Sequence, residues 1–298
     1  MSTRGSLLTL AMAAWVLPGA GNTAEILAVL SGDQAPYRAA SEGLAKALPG
    51  DRVSTCLLSE LSERQDQLAQ AKVLVAVGTE SANALAKPGG SAAPVIYCLV
   101  PQGAAESLPA ALGGVAADVP LMTQVALIAE ALPGANRLGM LYRGDRDAGQ
   151  RQLAAVKAAI PAGWDVVSEA VDQHPGIAAA IDALLAKRPD VVWTAADGGV
   201  WNEPAIRALL LNALRRRVPV FGFSPAFVRA GALLGVGTEP ADQGDQAAKL
   251  VRAALGGAAA TRHGPGRFQV AINLVVARKL GIDFPATLVD RADQVVRP

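Results

Sequence analysis

Short apolar runs alternate with helix-forming runs along almost the whole sequence, and this alternation limits the possible folds more than any other feature. The strands predicted in the first part of the chain are EILAVLSG, RVSTCLL, KVLVAVG and PVIYCLV. Between the first two, residues 37–48 place apolar side chains at helical spacing. Continuous apolar strands separated by helices are typical of a parallel sheet covered by helices on both faces. The sequence therefore predicts an α/β fold.

The alternation stops at residues 101–114 (PQGAAESLPAALGG) and then starts again. The strands predicted in the second part are RLGMLY, WDVVSEAV, DVVWTAA, VPVFGFS, GALLGVGT and RFQVAI. Each series is long enough for a sheet of its own, so two successive β/α units are expected. A single nine-stranded sheet is the structural alternative, because single α/β domains of this length occur.

The first residues have the pattern of a secretory signal peptide. Arg4 precedes an apolar run at residues 7–17, and small residues at 20–24 offer a cleavage site near Ala24. The run is shorter than the roughly 20 apolar residues that a spanning helix needs. A buried N-terminal helix is the alternative. We expect an exported, periplasmic protein that is soluble once the segment is removed.

The charge balance and the histidine spacing give no sign of nucleic acid, an anionic membrane or a metal as a partner. The chain has 298 residues, of which 27 are basic and 26 acidic, and this balance does not favour binding to nucleic acid or to an anionic membrane surface. Apolar residues make up 51% of it, enough for a large core. His174 and His263 have no Cys or carboxylate at metal-ligand spacing, so neither a metal nor a cofactor is expected.

The two cysteines, Cys56 and Cys98, lie in different predicted strands. Two other strands would separate them by about 14 Å at the usual strand spacing. A disulfide needs Cα atoms within about 7 Å. Both thiols are therefore expected to be free.

The tetrapeptide Val-Gly-Thr-Glu occurs twice, at residues 77–80 and 236–239. In both copies Gly follows a predicted strand, and Thr is placed to cap the next helix or turn. Open α/β sheets bind ligands at the carboxyl ends of their strands, and main-chain N–H groups at a helix start attract anions. The alternative is that each copy only ends a strand, with Glu stabilising the helix start. The flanking residues do not align, so a recent duplication is not supported.

Five segments spread over nearly the whole chain are informative together: ILAVLSGDQAPYRAASEGL, VLVAVGTESANALA, ALPGANRLGMLY, VPVFGFSPAFVRAGALLGVGTEPADQGDQAAKLVRAAL and AINLVVARKLGIDFP. Their order resembles the ABC transporter substrate-binding protein family that includes tryptophan/tyrosine-type binding proteins. Residues 198–232 resemble a branch of that family whose ligands are not assigned.

The resemblance implies a periplasmic-binding-protein type I architecture: two Rossmann-like lobes with parallel sheets, a ligand cleft between them and three hinge crossings. Residues 1–24 would be the signal peptide, lobe 1 would comprise residues 25–101 and about 240–266, and lobe 2 would comprise residues 102–239 and about 267–298.

The three crossings are assigned from the same resemblance. The first would contain Val100, Pro101 and Gln102, and the third would span residues 266–273. The second would contain Gly237, Thr238 and Glu239, with the glycine giving the backbone freedom to turn.

Candidate ligand contacts in lobe 1 end a predicted strand or begin the next helix. They are Ser31, Asp33, Tyr37, Gly78, Thr79, Glu80 and Ser81. Hydroxyl and main-chain N–H groups could hold a carboxylate, and an acidic side chain could hold an ammonium group. Capping is the alternative role of Asp33 and Thr79, and core packing is that of Tyr37.

Candidate contacts in lobe 2 follow the same rule. They are Tyr142, Asp145, Ala196, Asp197, Trp201, Asn202, Phe223 and Ser224. Trp201 and Phe223 could stack on a planar ligand, with packing in the lobe core as the alternative. Asp197 lies in AADGG, where an Asp could simply form a turn.

The basic run Arg215-Arg216-Arg217 ends a predicted helix. Cations suit the negative end of a helix dipole, so a solvated helix end is expected. Docking to a membrane partner is the alternative.

Three functions remain open. The first is a monomeric solute-binding protein that captures an amino acid or related small molecule and delivers it to an ABC permease by domain closure. The second is a periplasmic sensor or accessory protein for a receptor or an outer-membrane uptake system. The third is an exported enzyme, disfavoured because His is scarce and no Gly-x-Ser-x-Gly or phosphate-loop pattern is present.

Overall fold

The computed structural model describes residues 23–87 and 92–298. The predicted signal peptide, residues 1–24, lies almost entirely outside the described residues and stays a prediction.

Helices and strands alternate as the sequence pattern predicts. The first elements are β1 (Glu25–Leu30), α1 (Ala35–Ala47), β2 (Arg52–Leu57), α2 (Gln65–Gln70), β3 (Val73–Val77), α3 (Thr79–Leu85), β4 (Val95–Val100), α4 (Gln102–Ala105) and β5 (Gly113–Ala116). The next are α5 (Leu121–Ala131), β6 (Arg137–Tyr142), α6 (Asp147–Ala159), β7 (Asp165–Ala170), α7 (Ile177–Ala186), β8 (Val191–Trp193), α8 (Glu203–Arg215), β9 (Val220–Gly222), α9 (Pro225–Ala230) and β10 (Leu234–Gly237). The last are α10 (Pro240–Leu255), β11 (Arg262–His263), β12 (Gln269–Asn273), α11 (Leu274–Leu280), α12 (Ala286–Arg291) and β13 (Gln294–Val296).

Two separate sheets form, which confirms the predicted α/β class with two β/α units and shows that the single-sheet alternative is wrong. Among the described residues, one sheet has the strand order β11-β5-β4-β3-β1-β2 and the other β13-β12-β10-β9-β8-β6-β7. Their pairs are parallel except for β10 with β12. We call the first sheet with its helices lobe 1 and the second lobe 2. Helices cover both faces, and for this reason all five residues of β3 are buried.

Within the described chain, three segments connect the two sheets: residues 117–120, 238–239 and 264–268. The first lies later than expected, because β5 pairs with β4. The chain therefore does not pass to lobe 2 at Val100, Pro101 and Gln102. The predicted boundary after residue 101 is wrong because β5, which follows it, belongs to the lobe 1 sheet. The sequence pattern does not predict β5, because its glycines do not form an apolar run. A Cβ on Gly114 would lie 2.4 Å from the Tyr97 ring, so an apolar side chain does not fit there.

The second connection contains Thr238 and Glu239 of the predicted crossing, and Gly237 is the last residue of β10. Gly237 is not among the residues with a positive φ. A Cβ on it would instead lie 2.9 Å from Pro225 Cδ, so the glycine allows close packing. The Thr238 hydroxyl donates to the carbonyl oxygen of Ala117 at 3.1 Å, which joins the second connection to the first.

The strand order separates Cys56 from Cys98 by two strands, as predicted. Cys56 lies on β2 and Cys98 on β4, with β1 and β3 between them. Both thiols are free and buried. Burial raises the pKa of Cys98 to about 12, so this thiol stays protonated.

Helix α10 returns to lobe 1 by packing against α1 with almost no side chain between the two backbones. A Cβ on Gly244 would lie 1.9 Å from the Ala40 carbonyl oxygen, and one on Gly43 would lie 2.2 Å from the Ala241 carbonyl oxygen. Ala247 and Ala248 are fully buried on the same helix. Small residues at these positions permit the close approach.

A buried glutamine on α10 fixes the ends of β4 and β5. Leu99 has a φ of 53°, and the register of β4 with β5 shifts between Tyr97 and Val100. The freed Leu99 N–H donates to Gln243 Oε1 at 3.4 Å, while Gln243 Nε2 donates to the Ala116 carbonyl at 3.2 Å. The β-bulge is thus satisfied by a side chain that enters lobe 1 after the second connection.

Arg262 on β11 anchors the segment between α4 and β5. Its guanidinium donates to main-chain carbonyl oxygens, with distances of 2.8 Å to Ala105, 2.9 Å to Leu108 and 3.0 Å to Leu112. A further bond goes to Pro109. These contacts hold α4 at the edge of lobe 1, where it lies next to α6 of lobe 2.

Asp118 lies in the first connection and caps α4. Its carboxylate accepts the N–H of Gln102 at 2.6 Å. Burial raises the pKa of this carboxyl, and the Gln102 hydrogen bond opposes the rise. The charged form is therefore disfavoured in the folded protein.

Gly244→Ala is expected to lower the free energy of unfolding by at least about 2 kcal/mol, because the added methyl group forces α10 away from α1. Urea unfolding measures the loss. Gly50→Ala is the matched control, since a Cβ there has no atom within 4 Å. A Gly244→Ala protein as stable as the Gly50→Ala protein would contradict the proposed contact.

Asp118→Asn is expected to raise the free energy of unfolding at pH 7, because the amide oxygen still accepts the Gln102 N–H and the buried charge is gone. The raised folded pKa means that the destabilisation by Asp118 is fully present above that pKa and disappears as the pH falls below the ordinary value of 3.8. The advantage of the variant should therefore shrink between pH 7 and pH 4 in urea unfolding.

Asp118→Ala is the control for this substitution. It removes the acceptor and should be less stable than the Asn variant by about 1 kcal/mol at both pH values. An Asn variant that is less stable than the wild type at pH 7 would show that the charge itself is favourable.

Candidate functional site

The exits of two neighbouring strands in lobe 1 form a compact group of polar residues. Ser31 follows β1, and its N–H donates to the Val77 carbonyl of β3 at 2.9 Å. Its hydroxyl accepts the Ser81 N–H at 3.0 Å and donates to the Ser81 hydroxyl at 3.2 Å. The structure thus brings these two predicted residues together. Because Ser81 is fully buried, its hydroxyl joins the two strand exits and does not face solvent.

Gly78 is required by its backbone conformation and by its neighbours. Its φ is 98°, and a Cβ there would lie 2.5 Å from Ser31 Oγ and 3.0 Å from the Tyr37 ring. Tyr37 is therefore part of the same strand exit. Burial, with a smaller effect from the Glu80 carboxylate, raises the pKa of Tyr37, so its hydroxyl stays neutral.

Two further predicted residues of lobe 1 lie on its surface. Thr79 is half-buried and begins α3, and within the described residues its hydroxyl has no hydrogen-bond partner. Asp33 does not cap α1; it accepts a hydrogen bond from Arg38 at 2.7 Å, with both side chains exposed. The sequence interpretation omitted Arg38. Its signal was the spacing of Asp33 and Arg38 across the start of a predicted helix.

The exits of β6, β7 and β8 place charges of both signs at one edge of lobe 2. Arg143 Nε donates to Asp145 Oδ1 at 2.8 Å, and the guanidinium lowers the pKa of Asp145 mainly through this hydrogen bond. Asp172 accepts the N–H of Gly144. These strands are neighbours in the sheet, so the three exits lie side by side.

Arg146 and Asp197 complete this group. A Cβ on Gly199 would lie 3.1 Å from both Arg146 Nη1 and Asp197 Oδ1, which places the two charged groups around one glycine. Asp197 Oδ1 accepts the Gly199 N–H at 2.8 Å, so the predicted turn is present. We define the lobe 2 charged cluster as Arg143, Asp145, Arg146, Asp172 and Asp197.

Three members of this cluster, Arg143, Arg146 and Asp172, were missed at the sequence level. The signal was available, because both arginines follow β6 within four residues, just as the predicted Asp145 does. Asp172 follows β7 in the same way.

The aromatic candidates lie deeper than a stacking role requires. Trp201 is 7% exposed and packs edge-on against Phe227 at 6.3 Å, so core packing describes its position. Phe223 is half-buried and lies 5.1 Å from the Phe227 ring. Tyr142 is also half-buried and packs against the core of lobe 2. Phe223 and Tyr142 are therefore the aromatic candidates that leave part of a ring exposed, Phe223 after β9 and Tyr142 at the end of β6.

Two predicted polar contacts of lobe 2 are helix caps. Asn202 Oδ1 accepts the Ala205 N–H at 3.0 Å at the start of α8. Ser224 Oγ accepts the Phe227 N–H at 3.3 Å at the start of α9. Both side chains are used in their own helices.

Within residues 23–87 and 92–298, no group of three or more His, Cys, Asp or Glu side chains could hold a metal ion. In the same ranges, no helix combines the length and the apolar character needed to cross a bilayer.

Solved structures share this two-lobed fold. A conserved domain protein from Vibrio cholerae O1 biovar eltor aligns with a TM-score of 0.67 and 22% identity over 92% of this chain and 99% of that chain. The ABC domain in complex with L-Trp from Streptococcus pneumonia aligns with a TM-score of 0.67 and 21% identity over 91% and 100% of the two chains. A ligand-free, open substrate binding protein with adhesive properties from Clostridium difficile gives a TM-score of 0.73 and 18% identity over 92% and 99%.

Sequence comparison gives the family directly. No curated protein matches the sequence of this chain. The family described as ABC transporter substrate binding protein matches residues 60–296, which include both Val-Gly-Thr-Glu copies and most of both sheets. The chain therefore belongs to the ABC transporter substrate-binding protein family.

Proposed function

We propose that this protein is an exported, periplasmic binding protein that captures a small solute between its lobes and delivers it to an ABC importer. The observation that supports this most strongly is the lobe 2 charged cluster at three adjacent strand exits. Ligands of open α/β sheets bind at such exits. The polar exits of β1 and β3 give lobe 1 a corresponding surface.

The chemistry of the two surfaces favours an amino acid or a related small zwitterion. Arg146 could pair with a carboxylate and Asp197 with an ammonium group, because the two side chains flank Gly199. Thr79 adds a hydroxyl group and Glu80 an exposed carboxylate from lobe 1. The exposed part of Phe223 offers an apolar contact. L-Trp in the Streptococcus pneumonia structure and D-allose in another structural neighbour are ligands of this small size.

Capture would work by closure of the lobes. A ligand that contacts both strand-exit surfaces binds the closed form more tightly than the open form, and the difference shifts the population towards closure. Residues 117–120, 238–239 and 264–268 would act as the hinges. In this scheme no bond is made or broken, so we propose a carrier without enzymatic activity or cofactor.

A thermal-shift screen of the purified protein against amino acids, purines, sugars and organic anions tests this proposal. A ligand at 100 times its Kd should add about 2.7 kcal/mol of stability, or roughly 5 °C or more in Tm. The ligand should be recovered unchanged, and deletion of the gene should reduce its uptake. The absence of a shift in every class, or recovery of a converted product, would contradict the proposal.

Site variants should locate the ligand in the cleft. Arg146→Gln, Thr79→Val and Phe223→Leu are each expected to weaken binding at least about tenfold, since each removes one proposed contact. Arg151→Gln is the matched control: Arg151 is exposed on α6, five residues after Arg146. Trp201 is unsuitable for this test, because truncating so deeply buried a side chain costs about 3–5 kcal/mol of stability and would mix a folding effect with a binding effect. Equal effects of Arg146→Gln and Arg151→Gln would contradict the assignment.

A further inference from the structure

An open groove of about 880 Å³ lies at the amino-terminal edge of the lobe 2 sheet. The turns that precede β6, β8 and β9 and the end of α11 form its walls. The charged cluster of lobe 2 follows the carboxyl ends of the same strands. The groove therefore lies at the opposite edge of the sheet from the proposed solute site.

The floor of the groove is apolar. It is lined by side chains of Leu132, Leu185, Val218, Leu280 and Ile282. Leu185 and Val218 belong to the buried core of lobe 2, so the floor is an extension of packed structure. Such a surface favours contact with an apolar ligand body.

Three arginines surround this floor, and two of them have no acidic partner. Arg216 pairs with Asp182 at 3.3 Å. Arg188 and Arg217 are exposed, and neither forms an ion pair or a side-chain hydrogen bond with any residue in the described ranges. Their guanidinium groups are therefore available to an anion.

The acidic residues of the groove do not cancel this charge. Asp190 accepts the main-chain N–H groups of Asn136 and Arg137, both at 2.9 Å. Asp283 is the other carboxylate that lines the groove. Arg216 is already paired with Asp182, and Asp190 already accepts two main-chain hydrogen bonds. The guanidinium groups of Arg188 and Arg217 therefore remain the cations of the groove that are unpaired within the described part of the chain, and they favour an anion.

Arg188 and Arg217 differ in backbone conformation from the basic residues that usually end helices. They have φ values of 54° and 57°, in the left-handed region where glycine or asparagine is usual. Each is the second residue after the end of its helix, α7 or α8. Arg215 and Arg216 already place cations at the end of α8, so the helix dipole does not explain arginine at a strained position.

We propose that this groove binds a small amphipathic anion: a carboxylate held by Arg188 and Arg217, with an aliphatic chain lying on the apolar floor. Both arginines line the groove, so an acid group bound there can pair with guanidinium while the chain lies over the leucine and valine side chains. This site is separate from the solute cleft, and its occupancy does not depend on the proposed transport function.

Isothermal titration of the full protein with octanoate, decanoate and dodecanoate, each below its micellar concentration, tests the proposal. Affinity should rise with chain length, by up to about fourfold per methylene group. Decanol and decyltrimethylammonium should bind at least tenfold more weakly than decanoate. Failure of decanoate to bind at millimolar concentration, or equal binding of decyltrimethylammonium, would overturn the proposal.

Variants assign the binding to the groove. Arg188→Gly combined with Arg217→Gly should weaken decanoate binding at least tenfold while Tm is unchanged or higher, because glycine adopts the left-handed conformation without strain. Arg215→Gln is the matched control from the same basic run, because the Arg215 side chain does not line the groove. The affinity of this variant for decanoate should equal that of the wild type. Arg146→Gln should also leave decanoate binding unchanged. Retained binding in the glycine double variant, or loss in Arg146→Gln, would overturn the assignment.

Discussion

The close contact between α1 and α10 is the constraint on which the two-lobed arrangement depends. Gly43 and Gly244 let the two backbones meet, and α10 thereby returns to lobe 1 after the chain has built most of lobe 2. Since α10 is part of lobe 1, β11 can pair beside β5, and the chain has to pass back once more to supply β12 and β13. A chain whose α10 and β11 stayed with lobe 2 would leave β5 as an edge strand and would lose the second and third connections between the lobes.

The same helix also fixes the ends of the segments that connect lobe 1 to lobe 2. Gln243, next to Gly244, holds the bulge at Leu99 and the end of β5, while Thr238 joins the first two connections. Arg262 then fixes α4 against the β5 edge through main-chain carbonyl groups. Residues far apart in sequence thus position the rim of lobe 1 that lies beside lobe 2. A change in lobe orientation would have to move these connections together, which favours motion of rigid lobes over local rearrangement.

The sequence predicts the elements whose own side chains contain the signal. Apolar runs predict β1, β3, β4 and β6, and the family resemblance predicts the return of α10 to lobe 1. The sequence does not predict β5, because Gly113 and Gly114 give no apolar signal. Glycine is needed there by a tertiary contact, the Tyr97 ring of the neighbouring strand β4. The bond between Ser31 and Ser81 and the burial of Trp201 likewise depend on tertiary contacts. The sequence predicts which residues follow each strand. It does not predict which other residue each of these side chains contacts.

Three residues with a left-handed backbone conformation differ in the reason for that conformation. Among the described residues, Leu99, Arg188 and Arg217 are the non-glycine residues with positive φ. The strain at Leu99 has a structural reason, because its N–H reaches Gln243 and its bulge ends β4. At Arg188 and Arg217 the backbone only completes a helix end, for which glycine would be less strained. Glycine cannot supply the guanidinium group, so the side chain is the remaining reason for arginine at these two positions. Both arginines line the apolar groove, at the edge of the lobe 2 sheet opposite the proposed solute site.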